Sequence, residues 1–153
     1  MKDLFFLGIV TGGYAHKVPA LKGTFGTLGA LAIYCLIWVL AGRPDDMTIV
    51  LAGLAIIYTI TSFLLEPWAQ RYFNQSDPRA FIIDEWAGYF VSMLFLPAGF
   101  YYAIIGFCAF RVFDIVKPFP IKRLEKIRGG IVWDDLLAGV YANLLIQLMK
   151  CLI

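Results

Sequence analysis

The chain has 153 residues, of which 61% are hydrophobic, with a mean hydropathy of +0.77. Soluble domains are about 45–50% apolar, so the composition excludes an ordinary soluble globule. A net charge of +2 is too small to argue for nucleic acid, and Cys35, Cys108 and Cys151 form no C-x-x-C pair and read as apolar packing residues.

At the N-terminus, Lys2 is followed by the apolar Leu4–Val10 and then by Gly12, Gly13 and Tyr14. No small-x-small cleavage site follows, so a short interfacial or half-inserted helix is expected rather than a signal peptide. Four later stretches lack Asp, Glu, Lys and Arg: Gly23–Gly42, Met47–Leu65, Trp86–Phe110 and Leu136–Met149. A bilayer span needs about 20 apolar residues. The first two stretches predict spans over Thr27–Ala41 and Thr48–Leu65, joined by the turn Gly42–Asp46. Glu66–Ile83 is polar and predicts a short helix and a loop leading into Asp84. The fourth stretch reaches a span by including Lys150–Ile153, with Lys150 snorkelling to the interface.

The third stretch decides the topology. As one span it would put Asp84-Glu85 and Arg111/Asp114 on opposite membrane faces. Pro97-Ala98-Gly99 argues against that, because proline cannot continue the helical hydrogen bonding and glycine adds freedom. The arm Asp84–Leu96 is about 13 residues, or roughly 20 Å, too short to cross. The expected fold is therefore all-α: a single polytopic membrane-embedded bundle over 1–153, with a re-entrant helical hairpin broken near Pro97–Gly99. Arg111, Lys117, Lys122, Arg123, Lys126 and Arg128 follow that hairpin. Such an excess of basic residues marks a cytoplasmic side and attracts anionic headgroups. All charged clusters then share that side, with the Arg43 turn and the C-terminus opposite.

The run F-R-V-F-D-I-V-K-P-F-P-I (110–121) places Arg111, Asp114 and Lys117 at the end of an apolar segment, where ionisable residues suggest function. Their i, i+3, i+6 spacing puts them on about a third of the helix circumference. They read either as i,i+3 ion pairs or as an acid on a metal flanked by two cations on phosphate. Asp84-Glu85 precedes W-A-G-Y-F and Asp134-Asp135 precedes L-L-A-G-V-Y. Helix capping accounts for one acid of each pair; two adjacent acids, twice, point to Mg²⁺, whose usual protein ligands are carboxylates. In G-T-F-G-T-L-G (23–29), the glycines and the hydroxyls of Thr24 and Thr27 suit either helix–helix contact or phosphate. His16 is the only histidine, which excludes a two-histidine phosphatase.

These segments, with I-I-D-E-W-A-G (82–88) and G-G-I-V-W-D-D-L-L-A-G-V-Y-A (129–142), resemble the phosphatidylglycerophosphatase A family in the family's order over nearly the whole chain. Lys22 stands where the family often has proline. The resemblance implies a bacterial cytoplasmic (inner) membrane enzyme of glycerophospholipid biosynthesis, multi-pass, with its active site facing the cytoplasm. It would convert phosphatidylglycerophosphate to phosphatidylglycerol and inorganic phosphate with Mg²⁺. Asp84, Glu85, Asp114, Asp134 and Asp135 would be the catalytic and metal-holding carboxylates. Arg111, Lys117, Thr24 and Thr27 would bind the substrate phosphate. Either Asp134 or Asp135 would take the proton from water.

Two other function classes fit part of the sequence: a small cation or solute transporter, and a non-catalytic membrane subunit. A transporter wants its charges near the bilayer midplane, whereas these acids sit at segment ends. A structural subunit would tolerate loss of the acid pairs. The lipid bilayer is an implied partner, nucleic acid is not, and the sequence carries no signal of oligomeric state.

Overall fold

The third apolar stretch is broken, and the break organises everything around it. The computed structural model describes residues 2–13, 22–124 and 129–152. Its helices are α1 (Lys2–Val10), α2 (Lys22–Leu40), α3 (Thr48–Phe73), α4 (Ile83–Ser92), α5 (Phe100–Val116), α6 (Ile121–Leu124) and α7 (Gly130–Leu152). The described residues form no strand. Gly23–Leu40, Thr48–Phe73 and Gly130–Leu152 are long and apolar enough to cross a membrane. The outward face of α3 carries Ile49, Ile56, Ile57, Ile60 and Leu64, all exposed, as lipid contact would favour. The inner core is aromatic, with Tyr34, Tyr89, Phe90 and Phe110 fully buried.

α4 and α5 form the expected hairpin, since Arg111 near the end of α5 returns to Glu85 at the start of α4. The tip reaches further than half depth. Ala98 N–H donates to the Asp45 carbonyl, Phe95 N–H to Thr48 Oγ1, and Gly99 N–H to the Tyr34 hydroxyl. The tip therefore lies beside the α2–α3 turn, at the end of the bundle opposite the acid pairs. The ten-residue α4 covers only about 15 Å of that depth; the non-helical segment 93–99 supplies the rest.

Unwound backbone at such a place needs partners from the protein. Asn143 Nδ2 donates to the Ser92 and Leu94 carbonyls, at 3.0 and 2.7 Å, and Gln147 Nε2 to the Phe95 carbonyl at 3.2 Å. Phe95 adopts φ +60°, unusual for a bulky side chain, with both of its backbone groups bonded.

α4 packs most extensively on α7, and the two meet backbone to backbone. A Cβ on Gly88 would fall 2.5 Å from the Asp135 carbonyl oxygen, and one on Gly139 would collide with the Gly88 carbonyl. Neither glycine tolerates a side chain at this separation.

The sequence expectation needs correction at three places. α3 does not stop at Leu65 but continues through Pro67 to Phe73. The continuation is held by Arg71 Nε donating to the Pro67 carbonyl, by stacked Trp68 and Tyr72, and by Trp68 donating to Asp3 of α1. It ends where Asn74 takes the left-handed conformation that closes helices. α7 includes Lys150–Leu152 as expected but also starts earlier, at Gly130, so Asp134 and Asp135 lie inside the helix. Cys108 and Cys151 are exposed on the bundle surface rather than packed within it. His16, Lys126 and Arg128 lie outside the described residues.

Gly139→Val should lower the stability of the detergent-purified protein by about 1–3 kcal/mol, as overpacking does. Gly53→Ala, where a Cβ meets nothing within 4 Å, should be neutral or slightly stabilising. Thermal unfolding of the two variants side by side checks this.

Candidate active site

The site is assembled at the end of the bundle where α2, α4 and α7 begin and α5 ends. α2 offers bare backbone: Cβ atoms at Gly23 and Gly26 would lie 2.7 and 2.9 Å from the Glu85 carboxylate, and one at Gly29 would lie 3.0 Å from the Trp86 ring. The small residues therefore serve close helix contact, and through it bring Glu85 and Arg111 against the start of α2. Trp86 Nε1 donates to the Gly26 carbonyl at 2.7 Å and fixes this approach.

Thr27 is fully buried. Its hydroxyl donates to Glu85 Oε2 at 2.8 Å and accepts from Arg111 Nη1 at 3.4 Å. Arg111 Nη1 also lies 2.5 Å from Asp114 Oδ2 and 3.5 Å from Glu85 Oε2. α5 stops at Val116. Lys117 then takes φ +46°, Pro118 follows, and the Lys117 ammonium donates to Asp134 Oδ2 at 2.6 Å.

The acid pairs are not helix caps. Ile82 occupies the N-cap of α4 without a side-chain bond, and Asp134 is the fifth residue of α7. Within each pair the second residue's N–H donates to the first carboxylate: Glu85 to Asp84 at 2.8 Å and Asp135 to Asp134 at 3.0 Å. Asp84, Asp134 and Asp135 are buried.

These residues surround one cavity of about 380 Å³. Asp84, Glu85, Asp114, Asp134, Asp135, Arg111, Lys117, Thr24 and Gly23 line it, so eight of the nine proposed side chains share a single space. The ninth, Thr27, lies behind Glu85 and Arg111 and orients them. Asp77 and Arg79 also line the cavity; sequence reading left both in a polar loop. No spacing in the sequence marks them; in the structure, buried Pro78, Ala80 and Phe81 tie that loop to the fold.

Six acids and three bases face the cavity, so fully ionised it carries an excess of three negative charges. Burial raises the Glu85 carboxyl to about 8, outweighing the attraction of Arg111. Burial, then the neighbouring Glu85, raises Asp84 as well. The donor set is carboxylate oxygen, without cysteine or histidine, which suits a hard divalent cation. Among the described residues, no three of these groups converge into a ready-made ligand set.

The sequence profile described as Phosphatidylglycerophosphatase A matches residues 8–150. The chain belongs to the phosphatidylglycerophosphatase A family. It is thereby a phosphatase. A Bacteroides thetaiotaomicron protein named "Putative phosphatidylinositol-3-phosphatase" is 32% identical, the alignment covering all of this chain and 99% of that protein. The Haemophilus influenzae protein named phosphatidylglycerophosphatase A is 29% identical over 88% of this chain and 80% of its own. The Escherichia coli protein of the same name is 26% identical over 80% and 70%. No solved structure matches.

The raised carboxyls set a pH dependence for the metal-free protein. Unfolded, Glu85 ionises near 4.5; folded, it holds its proton to about 8. Below 4.5 both states are protonated and the group is neutral for stability. Between 4.5 and about 8 the unfolded state alone loses the proton, so stability should fall as pH rises through that window. Thermal unfolding in chelator across the window checks the sign.

Proposed function

We propose that this phosphatase hydrolyses phosphatidylglycerophosphate to phosphatidylglycerol and inorganic phosphate, with Mg²⁺, at the cytoplasmic face of a bacterial inner membrane. The step belongs to glycerophospholipid biosynthesis. The observation that carries the reading is the single cavity in which five carboxylates from α4, α5 and α7 meet Arg111 and Lys117. It lies at the end of helices suited to a bilayer, so a lipid can present its headgroup while its acyl chains stay in the membrane. The alternative of a cation transporter is weaker, because the acids cluster at one end of the bundle and not at its middle.

Asp84, Glu85, Asp114, Asp134 and Asp135 are the residues that would hold Mg²⁺. Bound there, Mg²⁺ supplies Lewis-acid charge to phosphate oxygens that would otherwise be repelled by the acids. Arg111 and Lys117 bind non-bridging phosphate oxygens and stabilise charge there as the ester bond breaks. To do so they exchange contacts with Asp114 and Asp134, which frees those carboxylates. Thr24 adds a hydroxyl at the cavity wall, and Thr27 keeps Glu85 and Arg111 in place. Asp135 is our choice for the group that takes the proton from the attacking water. It lines the cavity beside Asp134, to whose carboxylate its own N–H donates. Asp134 is tied to Lys117 and is less free to act. Lys117 can return a proton to the glycerol alkoxide that leaves.

The purified protein should release phosphate from phosphatidylglycerophosphate in Mg²⁺ and stop in chelator, with slower turnover of phosphatidic acid. Absence of phosphate release from either lipid in Mg²⁺ would refute the reading. Asp114→Asn should lower kcat at least about 100-fold, as loss of an electrostatic group in an active site does, with little change in unfolding temperature. A fully active Asp114→Asn enzyme would remove Asp114 from the site.

A further inference from the structure

Arg79 stands apart from the other two cations of the cavity. Arg111 and Lys117 have side chains only 14% and 20% exposed, and both are engaged by carboxylates. Arg79 is exposed, lines the same cavity, and among the described residues makes no hydrogen bond or ion pair. Its backbone is nevertheless fixed. Phe81 N–H donates to the Pro78 carbonyl at 2.7 Å, which makes Arg79 the second residue of a tight turn. Pro78, Ala80 and Phe81 are buried around it. Ile82 N–H then donates to the Val10 carbonyl at 2.9 Å, pinning the turn to α1. An unengaged guanidinium on a fixed turn at the rim of a phosphate site is placed to bind an anion, bidentately where the geometry allows.

The inference rests on the proposed reaction and asks which part of the substrate Arg79 meets. The inner cations and the acid wall take the terminal phosphomonoester. A lipid such as phosphatidylglycerophosphate carries a second anion, the phosphodiester that joins its headgroup to diacylglycerol. With the monoester inside and the acyl chains in the bilayer, that diester must pass the rim. We infer that Arg79 binds this internal phosphodiester, and so selects lipids with two phosphates over phosphatidic acid, which has only the monoester. The same chemistry is present in a phosphorylated phosphatidylinositol, so the contact is to the diester and not to glycerol.

The test is the ratio of kcat/KM for phosphatidylglycerophosphate to kcat/KM for phosphatidic acid, with phosphatidylinositol 3-phosphate as a second diester-bearing lipid. Arg79→Gln should lower the ratio about tenfold, the usual scale for one charge-assisted hydrogen bond, mainly through KM of the diester-bearing lipid. Arg79→Lys should restore part of it, because it keeps the charge but not the fork. Equal losses on all three lipids would show that Arg79 acts only as a general positive field, and an unchanged ratio would show no role; either result overturns the inference. If the unsubstituted enzyme cleaves phosphatidylinositol 3-phosphate but not phosphatidylglycerophosphate, the proposed substrate is wrong, and the ratio taken with the inositol lipid still decides the role of Arg79. If it cleaves neither diester-bearing lipid, both proposals fall.

Discussion

The crossing of α4 and α7 at Gly88 and Gly139 is the constraint on which the rest depends. Side chains usually hold helices about 8–10 Å apart; at this crossing the backbones touch. The contact continues along both helices. The Asp135 carbonyl lies against Gly88, Gly139 lies against the Gly88 carbonyl, and Asn143 bonds the Ser92 carbonyl. Positions 135 and 139 on one helix thus flank 88 on the other, and 143 meets 92 one turn further on. Two helices locked in that register carry their acid pairs to the same height. Asp84-Glu85 and Asp134-Asp135 are close because the glycines one turn later leave them no alternative.

α5 supplies what the crossing lacks, which is positive charge. It arrives as the return arm of the hairpin and ends beside the acids of two other helices: Arg111 reaches Glu85 of α4, and Lys117 reaches Asp134 of α7. Its arrival at this end depends on the unwound segment at the far end. The carbonyls freed there are bonded by Asn143 and Gln147 of α7. α7 therefore holds α4 at both ends, through glycine near the site and through amides at the tip. That fixes the depth of α4, and with it the position of Asp84 and Glu85.

Much of this was legible in the sequence, because charge is conspicuous in an apolar chain. Once Pro97 and Gly99 were read as a break, the charged clusters had to share one side, and Arg111, Asp114 and Lys117 do meet the acid pairs. What was not legible depended on partners distant in sequence. The end of the second span is one case: α3 continues past Leu65 and through Pro67, where Trp68 packs on Tyr72 and on α1. Asn143 and Gln147 look like ordinary polar residues on a helix face, and only the unwound backbone opposite gives them a task. Thr27 suits either helix contact or phosphate in the sequence, and burial behind Glu85 and Arg111 gives it the first of these tasks. Arg79 was hidden in a polar loop because nothing in its spacing links it to a cavity built from four helices.

The arrangement also explains why such a site needs a rigid scaffold. Six acids against three bases in one cavity is an unfavourable charge distribution when fully ionised, and burial together with that mutual repulsion raises the Asp84 and Glu85 carboxyls above their ordinary values. Backbone packing at Gly88 and Gly139 offsets that repulsion without a side chain entering the cavity, so the space stays open for a ligand. A divalent cation and a phosphate together would reverse the imbalance, the cation taking up the acid excess while the phosphate occupies Arg111 and Lys117. Binding would then stabilise the fold as well as the substrate, since any ligand held only by the native state shifts the unfolding equilibrium in its favour. On this view the charge imbalance of the cavity and its fit to a metal–phosphate pair have the same origin: carboxylates brought together by a helix crossing and only partly neutralised by the arm that returns beside them.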